Sequence, residues 1–84
     1  MSELTSLRNI GKELERKLKA VDIADAEELK KVGSEEAFVR LKLRDPHVCL
    51  VHLYALEGAI SDTEYNQLRE DVKQRLKEIS DGLK

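Results

Sequence analysis

The sequence predicts an all-α fold: a compact orthogonal bundle of about five helices around a buried central helix at 47–60. Three observations carry this reading. Apolar residues recur at spacings of three and four almost throughout, and no stretch alternates with period two between turn residues. Helix breakers are scarce, since Pro46 is the single proline and Gly11, Gly33, Gly58 and Gly82 stand far apart. From Val48 to Ile60 the chain is apolar on nearly every side, the pattern of a helix enclosed by its neighbours. With 40% apolar and 38% charged residues, the 84-residue chain is too apolar for a disordered tail and short enough for one domain, 1–84. Aromatic residues are only 4%, so the core is expected to be aliphatic.

Leu4 and Leu7 predict a short leading helix that ends in an Asn9-Ile10-Gly11 turn, where Gly11 supplies a positive φ or a close backbone approach. Leu14, Leu18 and Val21 mark one face of the next helix, with Lys12, Glu13, Glu15, Arg16, Lys17 and Lys19 opposite. Asp22 suits a left-handed turn residue. Asp25 is placed as an N-cap with Glu28 at capping-box spacing, and the helix from Ala26 to Val32 closes at Gly33. Ser34 is placed as the next N-cap, opening a helix that buries Ala37, Phe38 and Leu41 and carries Lys42 and Arg44 in its last turn. Asp45 is read as a cap with Pro46 at the first helical position of the central helix. Gly58, with Ala55 and Ala59, would let neighbouring helices pack close. Ser61 and Glu64 have capping-box spacing ahead of a last amphipathic helix, whose stripe is Tyr65, Leu68, Val72, Leu76, Ile79 and Leu83. Two of these helices are too short to run the length of the others, which favours an orthogonal bundle over an up-and-down one.

Charge narrows the function classes. A net charge of −2 argues against a strongly basic nucleic-acid or membrane-surface protein. No stretch approaches the roughly 18–20 apolar residues that cross a bilayer. A single cysteine allows no internal disulfide, and the first residues carry acid early with no long apolar run, so a cytoplasmic setting is expected. No catalytic residue, metal or cofactor is expected. His47 and His52 lie five apart on the predicted helix and point about 140° from each other, so they cannot share a metal. Cys49 is read as a buried, inert thiol within the apolar helix, His52 as a hydrogen-bonded residue at the core edge, and His47 as solvated. Glu57 interrupts the apolar run. An unpaired buried carboxylate is costly, so it is expected at the rim or paired with a cation of the last helix.

Leu7-x-x-Ile10-Gly11, followed by Leu14 and Leu18 and then by Ile23 and Leu29, resembles a helix-hairpin-helix element. In that class of motif the hairpin amides face a nucleic-acid phosphate, an anion site of the kind helix N-termini form. The resemblance implies nucleic-acid contact at Arg8, Ile10, Gly11, Lys12 and Arg16. Against it, residues 1–33 hold seven basic and seven acidic groups, and non-specific affinity for nucleic acid comes mostly from basic charge.

Three stretches together resemble the C-terminal domain of the TfoX/Sxy competence regulators: Leu7-Arg8-Asn9-Ile10-Gly11; Ile23 through Gly33, with Ala37, Phe38, Arg40 and Leu41 beyond; and Leu53-Tyr54-Ala55-Leu56-Glu57-Gly58-Ala59-Ile60, with Tyr65, Leu68 and Lys73 after it. The similarity runs from about Leu4 to Leu76, and its most specific part is the run from Tyr54 to Ile60. It implies a bacterial, cytoplasmic, all-helical domain tied to regulation of genes for natural transformation, with no catalytic residues. Two positions depart from the pattern: Asp22 stands where such sequences often have glycine, and Lys12 where proline is frequent. TfoX-type regulators usually carry an N-terminal α+β domain as well, which these 84 residues do not include. The chain is thus expected to be a non-catalytic regulatory module acting by protein or nucleic-acid contact, with a helix-hairpin-helix binder of DNA without sequence specificity and a homodimerisation module built on the last helix as the alternatives.

Overall fold

A computed structural model describes residues 3–83 of the chain. Five α-helices follow one another: α1 (Lys12–Lys19), α2 (Ala26–Val32), α3 (Ser34–Arg44), α4 (Leu50–Ser61) and α5 (Glu70–Asp81). Short 3-10 turns occupy Leu4–Ser6 and Tyr65–Gln67, and no strand occurs among the described residues. The predicted all-α bundle is therefore the observed one. α4 lies between α3 and α5 and also meets the second 3-10 turn, while α1 and α2 both pack on α3. The described chain measures 31 × 26 × 20 Å along its principal axes.

The core is aliphatic around one ring. Leu4, Leu18, Ile23, Leu29, Phe38, Leu53, Leu56 and Leu76 are fully enclosed, with Val48 beside them. Each such side chain contributes roughly 1.5–3 kcal/mol through apolar burial. α4 supplies Leu53, Ala55, Leu56, Gly58 and Ala59 to this core. Its enclosure is incomplete, because Val51 remains 55% exposed. The α5 stripe is directed inward: Leu76 is buried, and Val72 and Ile79 pack against the core.

The helix boundaries follow local chemistry. Asp22 takes the left-handed conformation at φ 66°. Asp25 caps α2, its Oδ1 accepting from the Glu28 amide at 2.9 Å. Gly33, at φ 91°, closes α2 and stands at the N-cap of α3, a backbone position that glycine alone adopts freely. Ser34 is consequently the first residue of α3 rather than its cap, and its buried hydroxyl donates instead to Glu57 Oε1 at 2.6 Å. Glu57 lies 3.6 Å from Arg75 of α5, the pairing expected of a carboxylate set into an apolar helix. α1 ends at Lys19, so Val21 joins the core edge from the following turn.

Two expected starts move. The central helix begins at Leu50, not His47. Asp45 Oδ1 accepts from the His47 amide at 3.0 Å and the Asp45 carbonyl accepts from Val48, making a tight turn through Pro46. Lys42 Nζ donates to the carbonyls of Pro46 and Val48, which draws those groups out of any helical ladder. Cys49 therefore sits at the N-cap position and is exposed, not buried within the helix.

The last helix begins at Glu70 rather than after Ser61. Ser61 is the final residue of α4, and its hydroxyl donates to the Glu57 carbonyl at 2.9 Å. Asp62, left-handed at φ 56°, ends α4. Tyr65 leaves the predicted stripe and is 43% exposed, as is Leu83 at 38%. Leu68, in extended conformation, stays buried and links the 3-10 turn to α5.

The positive φ of the leading turn belongs to Asn9, at 70°, whereas Gly11 is extended with φ −96°. Gly58 also differs from expectation. The group closest to it is not a neighbouring helix: a Cβ there would stand 2.3 Å from the Thr63 carbonyl oxygen and 2.4 Å from Asn9 Nδ2. The absent side chain leaves a notch that two other segments fill.

Two predictions follow from packing. Gly58→Ala lowers stability by about 1–3 kcal/mol, the usual range for overpacking, read by urea denaturation; an unchanged midpoint would show that the notch relaxes freely. Leu56→Ala costs about 2–5 kcal/mol, whereas Leu43→Ala, at a position 84% exposed, stays within about 0.5 kcal/mol. Equal effects at both sites would contradict the assigned core.

Candidate functional site

The hairpin is built from the chain outward. The Leu7 amide closes the first 3-10 turn onto the Leu4 carbonyl at 3.0 Å. Asn9 then reverses the chain, and asparagine tolerates the left-handed region better than most residues. Its carboxamide is used at both ends. Nδ2 donates to the carbonyls of Thr63 at 3.0 Å and Ala55 at 3.5 Å, and Oδ1 accepts from the Tyr65 amide at 3.2 Å. An aspartate could accept here but could not donate. Ile10 buries its side chain, and its amide donates to the Leu7 carbonyl at 3.4 Å. Gly11 occupies the exposed N-cap of α1 without a side chain to cap it, and Lys12 opens the helix.

The candidate residues Arg8, Ile10, Gly11, Lys12 and Arg16 thus gather around the start of α1, but their chemistry divides. Ile10 is core. Arg8 reaches across to the far end of the sequence, with Nε 3.0 Å from Asp62 Oδ1 and Nη1 3.1 Å from Glu64 Oε1. The Asp62 hydrogen bond, then that of Glu64, holds its guanidinium pKa above the ordinary value. Arg16 pairs with Glu13, whose carboxyl is held below its usual range by that hydrogen bond. Lys17, on the same helix, is 2.9 Å from Asp45. Lys12 is exposed and has no ion-pair partner among the described residues. The first turn of α1 also carries Glu13 and Glu15. Cations at this hairpin are therefore largely matched by the protein's own carboxylates.

A groove beside the hairpin was not evident from the sequence. Leu14, Val51, Ala55 and Tyr65 line a depression of about 390 Å³, with Asn9, Gly11 and His52 at its edge. Val51 and Tyr65 expose 55% and 43% of their surface. Helical periodicity places Val51 in an enclosed helix and Tyr65 in a buried stripe, so no local signal marks them as neighbours at the surface. At the head of α4, the Cys49 amide donates to His52 Nδ1 at 3.1 Å, with Cys49 Sγ 3.5 Å from the same nitrogen. His52 is thereby the hydrogen-bonded edge residue expected, and His47 is exposed. Among the described residues no group of three or more His, Cys, Asp and Glu side chains is placed to hold a metal ion. No helix among them is long and apolar enough to cross a membrane.

The model of the TfoX C-terminal domain family matches residues 1–79. The chain belongs to the TfoX C-terminal domain family. Two crystal structures resemble this TfoX C-terminal domain closely. One is a triclinic form of an uncharacterized protein from Listeria monocytogenes, 44% identical, with a TM-score of 0.95 over 98% of this chain and 93% of that one. The other is a tetragonal form of a Listeria monocytogenes protein of unknown function, also 44% identical, with a TM-score of 0.94 over 98% of this chain and all of that one. None of the curated proteins matches the chain. Within this TfoX C-terminal domain, the run from Tyr54 to Ile60 that carried the resemblance contains both Glu57, tied to Ser34 and Arg75, and the Gly58 notch.

Asp45 makes acid stability testable. Lys17, and then the His47 amide, hold its carboxyl below the usual carboxylate range. The folded protein thus binds this proton less readily than the unfolded chain. Its contribution is complete above about pH 4 and disappears as the pH falls through the lowered value. Asp45→Asn should lower Tm at neutral pH, with the gap to wild type narrowing on acidification; a gap that widens would contradict the pairing. Cys49 supplies a second check. An aromatic disulfide reagent should modify it in the native protein as fast as in urea-unfolded protein, whereas strong native protection would restore the buried reading.

Proposed function

We propose that this chain is a non-catalytic regulatory module of TfoX C-terminal type, acting in the cytoplasm on the control of genes for DNA uptake through contact with a protein partner. Family membership supports the regulatory setting. The observation that carries the choice of a protein partner is the largely neutralised hairpin: Arg8 is held by Asp62 and Glu64, Arg16 by Glu13 and Lys17 by Asp45, which leaves Lys12 as the exposed cation without an ion pair among the described residues. Phosphate binding draws its affinity from unpaired basic charge, and a phosphate at this hairpin would compete with carboxylates already in place. The adjacent surface favours protein contact instead. Val51 and Tyr65 offer a partly exposed aliphatic and aromatic pair beside a groove, and tyrosine is enriched among the residues that anchor protein interfaces. The non-catalytic reading is supported by the use of Ser34 and Glu57 in a bond between α3 and α4, and of Cys49 and His52 in a bond at the start of α4.

The test combines capture and titration. Tagged protein expressed in its native host should retain a partner after nuclease treatment. Tyr65→Ala or Val51→Glu, each verified as folded by circular dichroism, should weaken that capture by about tenfold or more. Short duplex DNA at low salt should show no saturable anisotropy change. Capture abolished by nuclease, or salt-sensitive DNA binding that Lys12→Glu weakens, would overturn the proposal in favour of the helix-hairpin-helix reading.

A further inference from the structure

We draw no further inference here: the strongest candidate, the apolar groove that Val51 and Tyr65 flank between the start of α1 and α4, belongs to the surface already proposed for partner contact, and nothing in the structure shows what covers it.

Discussion

The arrangement depends on one carboxamide lodged over one missing side chain. Asn9 turns the chain through a left-handed conformation and then bonds to Ala55, Thr63 and Tyr65. That approach is open only because residue 58 has no Cβ. The polar contacts are made where α4 ends, so a turn near the beginning of the chain is joined to the connection between α4 and α5. Such a junction closes a loop of about fifty residues, an ordering cost that several simultaneous bonds and the burial of Leu4 and Ile10 offset. Once the junction is made, α1 is held against the bundle and the backbone of Thr63 and Tyr65 is committed to Asn9. Helix continuation through that segment is then disfavoured, which accounts for the late start of α5.

The same junction sets the electrostatics. By bringing Asp62 and Glu64 under Arg8, it places two carboxylates from the far half of the chain around the cation nearest the turn. Surface pairs of this kind add little stability on their own, a median near 0–1 kcal/mol. Their consequence here is chemical rather than energetic: the charge of Arg8 is met by the protein's own carboxylates, while Lys12 stays exposed. The groove next to it, by contrast, leaves apolar surface unmatched at Val51 and Tyr65. Paired cations and exposed apolar side chains thus lie side by side on this face of the domain.

Local rules were reliable wherever the determinant lay within a few residues. The α2 helix was legible from end to end, because Asp25 and Gly33 act on amides and carbonyls one turn away. Asp22 took its left-handed geometry, and Glu57 its partner from the last helix, for reasons of local backbone preference and of charge burial. The structure departs from the expected caps where a polar side chain has a second partner within reach, near or far in sequence. Ser34 and Ser61 have capping chemistry, yet Ser34 bonds to Glu57 and Ser61 to its own helix. Asp45 bonds to His47 and Lys17 rather than capping at Pro46, and Cys49 is left outside the helix in consequence.

Sequence alone determined the helical class, the aliphatic core, the number of helices and the family, since these are written in periodicity and in short contiguous runs. Tertiary structure decided which of the expected binding residues keep their charge available, and which apolar residues reach the surface. The reason is physical: periodicity reports which side of a helix is apolar, but not which neighbour lies against it. Arg8 meets Asp62, and Gly58 meets Asn9, across separations that no local spacing encodes.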